Sequence, residues 1–114
     1  FWFADDGERF HLFYLHAPRS LGDPHLRHRN ARIGHAVSTD LREWTDLGVC
    51  LEPSGGDEAD AHATWTGSVV RDADGTWHML YTGSRFLRPD AHANSESVVA
   101  ATSTDLHTWV RHPE

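Results

Sequence analysis

Cysteine is almost missing. One residue, Cys50, stands in a chain of 114, so no internal disulfide can form, and it reads as a buried structural thiol. Basic residues are also few. Ten Lys and Arg against 17 Asp and Glu give a formal charge of −7 with histidine neutral. A nucleic-acid partner wants a basic stripe, so no such partner is expected. No apolar run approaches the ~20 residues of a membrane-spanning helix, and no membrane partner is expected either. No amphipathic helix longer than a turn is visible. His25 and His28 are three apart, but no Cys or close acidic pattern completes a tetrahedral set. Neither a metal nor another cofactor is therefore expected. No leader segment is visible, and the residues assign no compartment, cytoplasmic or secreted.

What is abundant is aromatic and histidine content. The chain has five Trp, five Phe, two Tyr and ten His. Hydrophobic residues make up 39%, an ordinary globular share. Buried aromatics dominate a core, and Trp and Tyr also make platforms for sugars. The histidines make the net charge sensitive to pH near 6.5.

The chain repeats itself. GERFHLFY (7–14) returns as GTWHMLY (75–81), and STDLREW (38–44) returns as STDLHTW (103–109). Both passages recur in the same order. Repeats of this size made of short strands imply propeller blades or a similar array. Phe10, Leu12 and Tyr14 alternate with His11, Phe13 and Leu15, which predicts a strand buried on both faces. Trp77–Thr82 predicts the same. ADDG (4–7) and DADG (72–75) before them predict hairpin turns, with Gly at positive φ. Partner strands are expected at Phe1–Ala4 and Ser68–Arg71, third strands at Ile33–Ser38 and Val98–Ser103, and fourth strands at Asp46–Leu51 and Val110–His112. The expectation is all-β: a fragment of a β-propeller with four antiparallel strands per blade, blade one at about 1–63 and an incomplete blade two at about 64–114. Both ends of the chain read as cut. Fewer than two full blades leave apolar faces uncovered, so the piece alone is expected to be unstable or to aggregate. In each STDLxxW passage the Asp predicts a cap on a short turn, with Leu and Trp packing that turn onto the blade.

The ordered set GHAVSTDLxxW (34–44), TWTGSVV (64–70) and DGTWHMLYTG (74–83) resembles the N-terminal part of five-bladed propeller glycosidases. The resemblance is to glycoside hydrolase family 32, the invertase and levanase group, with the neighbouring family 43 next. HLFY (11–14) resembles the second strand of their first blade. The resemblance implies a glycosidase acting on fructosides, or on arabinosides and xylosides if family 43 applies. It implies three catalytic acids, each on a different blade. The first Asp, nucleophile or base, is expected just before Phe1; Asp5 and Asp6 fall in the hairpin turn instead. The second, in an ArgAspPro motif, and the general-acid Glu are expected beyond Glu114. GlyAspPro (22–24) lies in a loop of blade one. No catalytic residue is therefore assigned within the chain, and the piece alone is expected to be inactive.

The resemblance also implies sugar contacts. The family's aromatic-Ser-Gly-Ser motif is represented by Trp65, Thr66, Gly67 and Ser68, with Trp for the usual Phe and Thr for the usual Ser. Trp2, His16, His35, Trp65, Thr66 and Ser68 are the candidate substrate-binding residues, for a carbohydrate substrate that is a fructoside or pentoside. The His- and Arg-rich loop His16–Arg32 and its counterpart Arg85–Ser97 are expected over the mouth of the funnel. The acidic loop Pro53–Ala63, with Asp57, Glu58 and Asp60, reads as solvated surface. A sialidase-like propeller is a weaker match, because its turn motif carries a Gly that is missing here. A carbohydrate-binding propeller without activity is the non-enzymatic alternative.

Overall fold

A computed structural model describes residues 1–17, 30–55, 59–86 and 94–112. The described chain forms eight strands. They are β1 (Trp2–Asp5), β2 (Phe10–His16), β3 (Arg32–Ser38), β4 (Thr45–Leu51), β5 (Ala63–Arg71), β6 (Trp77–Phe86), β7 (Asn94–Ser103) and β8 (Val110–His112). They make two four-stranded antiparallel sheets in the orders β1-β2-β3-β4 and β5-β6-β7-β8. Each sheet is a simple meander, so the sequence repeat is a structural repeat.

The hairpins form where Asp and Gly predict them. Gly7 and Gly75 sit at φ 93° and 91°, a region open to Gly without steric cost. The Asp5 carboxylate accepts from the Gly7 amide at 2.8 Å, and Asp6 accepts from Glu8 and Arg9 at 2.8 and 2.7 Å. In the second hairpin the Gly75 amide reaches the Asp72 carbonyl at 3.0 Å. The two STDL turns keep the expected Asp caps, on the Arg42 and Glu43 amides and on the His107 and Thr108 amides, but of the two leucines only Leu106 packs inward and Leu41 is exposed. Ser38 and Ser103 hydroxyls accept from the Leu41 and Leu106 amides at 2.9 Å, and both leucines take a left-handed backbone, φ 66° and 69°.

Three strands are longer than the residues predict. β5 starts five residues before Ser68, β6 runs to Phe86, and β7 starts at Asn94. Pairing from Trp77↔Ser103 out to Phe86↔Asn94 draws polar residues into the ladder that composition assigns to a loop. Most of the two predicted funnel loops, 18–29 and 87–93, lies outside the described residues, as do Asp57 and Glu58.

The core lies between the two sheets. Trp2, Ala4, Phe13, Ile33 and Leu51 of the first sheet meet Trp77, Met79, Tyr81, Val99, Ala101 and Leu106 of the second unit. The expectation of strands buried on both faces is corrected here. On β2, His11 and Phe13 are buried, Phe10, Leu12 and Tyr14 are half-buried, and Leu15 and His16 are exposed. On β6, Trp77, Met79 and Tyr81 are buried while Leu80 is exposed. The reason is stacking: two sheets share one interface, so each sheet covers one face of the other. Phe1, Phe3 and Leu41 remain exposed on the far side of the first sheet, around a shallow groove also lined by Leu12 and Trp44.

Cys50 is half-buried against the core, and burial pushes its thiol up to about 12. Asp60 departs from the surface reading of its loop. It is 1% exposed. Its carboxylate accepts from the Tyr81 hydroxyl at 2.7 Å and from Arg111 Nε at 2.9 Å, which satisfies a charge that burial would otherwise penalise.

Candidate functional site

The first strands of the two sheets, β1 and β5, touch each other. The start of β5 is also tied to the residue before β3: Thr64 donates from its amide and its hydroxyl to the Ala31 carbonyl, at 2.9 and 3.2 Å. Because β1, β2 and β3 alternate in direction, the starts of β1, β3 and β5 lie at one end of the structure. His16, which ends β2, is at that end too, paired with Arg32.

At this end β5 is irregular. Thr64 pairs with Gly83, but the next pair is Gly67 with Tyr81. Two residues of β5, Trp65 and Thr66, therefore face one residue of β6, Thr82. This is a β-bulge, a device that frees side chains from the ladder and re-aims them. Without it, strict alternation would put Thr64 and Gly67 on opposite faces. With it, both pair along β6, while Trp65 is half-buried and Thr66 is exposed. Ser68, one residue past Gly67 on the same strand, is exposed as well. The bulge thus presents an aromatic face and two hydroxyls from one strand, a set suited to stacking on a sugar ring and bonding its hydroxyls.

The other candidates are placed differently. Trp2 is buried at the start of β1 and stacks on Phe13 with ring centres 6.2 Å apart. Its indole Nε1 is buried with no acceptor among the described residues. His16 is exposed. His35 is 2% exposed, and its Nε2 lies 2.8 Å from His11 Nδ1. It stacks on Phe13 at 4.8 Å, and His107 from the β7–β8 turn leans over it at 5.1 Å.

Residue types alone did not single out this histidine cluster. Asp6 Oδ2 lies 2.8 Å from His11 Nε2, so a chain Asp6–His11–His35 runs from the first hairpin into the interface between the sheets. Burial raises the Asp6 carboxyl, but bonds from the Arg9 and Glu8 amides and from His11 outweigh it and hold the group down at about 2. Asp6 is thus committed to its hairpin and to His11. Burial pulls His35 down to about 4, and its neighbours His11, His107 and Arg9 act in the same direction. Sequence alternation puts His11 and Phe13 on one face of β2, but that this face is the buried one, and that His35 lies beside it, follows only from the sheet pairing.

The Asp60–Tyr81–Arg111 triad was also missed. Burial first and then the Asp60 carboxylate raise the Tyr81 phenol, so its proton stays on the bond to Asp60. Burial opposes the Arg111 charge, but Asp60 more than offsets it and raises its pKa. Two open grooves lined by described residues lie on the apolar far side of the first sheet.

The chain is similar to known proteins along nearly its whole length. Residues 3–114 match the model of the glycosyl hydrolases family 32 N-terminal domain. Beta-fructofuranosidase 1 of Zea mays is 35% identical over 102 residues, which cover 90% of this chain and 14% of that enzyme. Raffinose invertase of Escherichia coli is 39% identical over 77 residues, 66% of this chain and 14% of its own length. The crystal structure of fructan 1-exohydrolase IIa from Cichorium intybus superposes with a TM-score of 0.73 at 27% identity, over 99% of this chain and 21% of that one. A GH32 beta-fructofuranosidase from Bombyx mori gives 0.70 at 26%, over 99% and 23%. The chain thus spans about a seventh of these curated relatives and about a fifth of the solved structures. The two sheets are blades of a five-bladed β-propeller, and of the two families the sequence resembles it is the first that matches. The chain belongs to glycoside hydrolase family 32.

Proposed function

We propose that the protein to which this chain contributes is a glycoside hydrolase acting on fructosides. Residues 1–63 and 64–114 supply two successive blades. The acids that break the bond come from outside the chain, one of them just before Phe1. Glycoside cleavage needs one carboxyl to protonate the leaving oxygen and another to attack or to activate water. This chain contributes sugar contact: Trp65 as an aromatic wall, Thr66 and Ser68 as hydroxyl partners, with Trp2 backing the wall from β1 and His16 at the rim. His35 is buried against His11 and Phe13. The observation that carries the reading is the β-bulge at Trp65–Thr66 on β5, beside the start of β1.

The relatives bear on the sugar. One is a beta-fructofuranosidase and another a raffinose invertase. A third, a 6(G)-fructosyltransferase from Asparagus officinalis, is 34% identical over 108 residues. That favours, as a second reading, transfer of the fructosyl group to another sugar rather than to water.

The test is activity of the full-length protein on sucrose, levan, inulin and aryl pentosides. Fructose release from the first three is expected. Oligosaccharide products at high sucrose would favour transfer. Release of a pentose alone would overturn the fructoside reading, and a folded protein inactive on all would favour a binding propeller. The 114 residues alone are expected to release no sugar.

A further inference from the structure

The bulge is bracketed by two residue pairs, Thr64↔Gly83 before it and Gly67↔Tyr81 after it. Both β6 members of those pairs touch Asp60. The Tyr81 hydroxyl donates to Asp60 Oδ2 at 2.7 Å. Gly83 lies so close that a Cβ there would sit 2.9 Å from the Asp60 Cβ and 3.0 Å from its Cα. Arg111, on the outermost strand β8, donates from Nε to the same Asp60 oxygen at 2.9 Å. The segment carrying Asp60 is itself fastened. The Asp60 and Ala61 carbonyls accept from Ser54 and Gly55 at 3.1 and 3.0 Å, and the His62 amide donates to the Ser84 carbonyl at 3.1 Å. A bulge has lost ladder bonds of its own, so its shape depends on what holds the strand opposite.

From this we infer that Asp60, Tyr81 and Arg111 form a brace that sets the aim of Trp65 and Thr66 at the sugar. They are positioning residues. The brace works through β6: Asp60 fixes Gly83 and Tyr81, these fix Thr64 and Gly67, and the two residues between are held in one conformation. Preorganised contacts lose less entropy when the ligand arrives. The inference rests on the sugar-contact reading of Trp65 and Thr66 above.

The experiment is a double-mutant cycle in the full-length protein, read as kcat/KM on sucrose with melting temperature alongside. Tyr81→Phe removes one bond to Asp60 and keeps the ring, and Arg111→Lys removes the Nε donor and keeps the charge. Each is expected to lower kcat/KM by about five- to tenfold in a folded protein. In the Trp65→Ala background each is expected to cost almost nothing more, because the residue it aims is gone. Equal fold-losses in both backgrounds, or unchanged kcat/KM in folded Tyr81→Phe and Arg111→Lys, would overturn the brace while leaving the site reading intact. If Tyr81→Phe does not fold, Arg111→Lys decides, since Arg111 is partly exposed. Failure of both to fold would reduce the triad to holding the blade together and overturn the inference. If Trp65→Ala itself leaves kcat/KM unchanged, or if the folded protein acts on none of the sugars, the site reading falls and the brace falls with it.

Discussion

The two sheets carry the same motifs and bury opposite faces. On β2 the inward residues are His11 and Phe13, while at the matching places on β6 Leu80 is exposed and His78 half-buried. There Trp77, Met79 and Tyr81 turn inward, and their counterparts Phe10, Leu12 and Tyr14 stay half-covered on the first sheet. The STDL turns repeat the contrast. Their hydrogen bonds agree within 0.1 Å, yet Leu41 is 52% exposed and Leu106 is 0%. A stacked array explains both observations. Each unit shows its front to one neighbour and its back to the next, so contacts depend on place in the stack. Local geometry follows local sequence, and burial follows position.

The largest effect that tests this is at the two leucines. Leu106→Ala in the full-length protein is expected to cost about 2–5 kcal/mol, the range for a buried Leu truncated in a core. Leu41→Ala is expected to cost the same there, because a closed propeller covers the first blade with a further one. Denaturant unfolding measures both. A loss below about 1 kcal/mol at Leu41 alone would mean that its face stays open to water and that the stack does not close over it.

Next in size is a pH effect that only the first sheet should show. His35 has Ala100 at the matching place of the second repeat. The ordinary histidine value of 6.5 falls to about 4 at His35 in the fold, mainly through burial. His11, His107 and Arg9 push it the same way, Asp105 opposes them, and Asp6 sits behind His11. Between those two values the unfolded chain takes up a proton that the folded one refuses. Stability from this residue is full above pH 6.5 and is lost as pH falls to about 4, on the order of 3 kcal/mol in all. Asp6 acts lower, between its ordinary 3.8 and about 2, so the two windows are separate. Urea unfolding at pH 7 and pH 4.5 should show the drop, and His35→Gln should flatten it. An unchanged slope in a folded His35→Gln variant would remove His35 as its source.

What the residues reveal ahead of the structure follows the same division. The hairpins were legible because Asp and Gly at 4–7 and 72–75 act within four residues. The STDL turns were legible for the same reason, and the family and fold were carried by whole motifs. The bulge was not legible, since the residues predict a strand only from Ser68, and the register of Thr64–Gly67 against β6 shows in no local pattern. The His11–His35 bond joins residues 24 apart that meet only through the β2–β3 pairing. Asp60 looks like one more acid in an acidic loop. Its burial rests on Tyr81 and Arg111, 21 and 51 residues away.

A smaller effect separates the first strands of the two sheets, β1 and β5. β1 pairs with β2 in unbroken register, whereas β5 carries the bulge. Trp65→Ala is therefore expected to act on catalysis, lowering kcat/KM roughly ten- to a hundredfold, or about 1–3 kcal/mol for one lost sugar contact. Trp2→Ala is expected to act first on stability, because Trp2 is buried on Phe13. Paired melting curves and sucrose kinetics measure the split. If Trp65→Ala lowers the melting temperature and spares kcat/KM, Trp65 belongs to the packing between blades.

The smallest expected difference is between the two caps. Asp40 accepts from the Arg42 and Glu43 amides at 2.9 Å each, and Asp105 accepts from the His107 and Thr108 amides at 2.8 and 3.0 Å. Both carboxyls are held below the usual range, chiefly by those amides. Both turns need the cap for the same reason: it offsets the strain of a leucine at positive φ and satisfies amides that no strand partner reaches. Replacing either Asp by Asn should be nearly silent, since Asn caps as well, and replacing either by Ala should lower the melting temperature slightly. The two Ala variants should match, although the leucines beside them differ completely in burial. A clearly larger drop for Asp105→Ala would mean that the turn's geometry draws on the interface above it, and the separation of local shape from stacking would fail at the place where the repeat is most nearly exact in sequence.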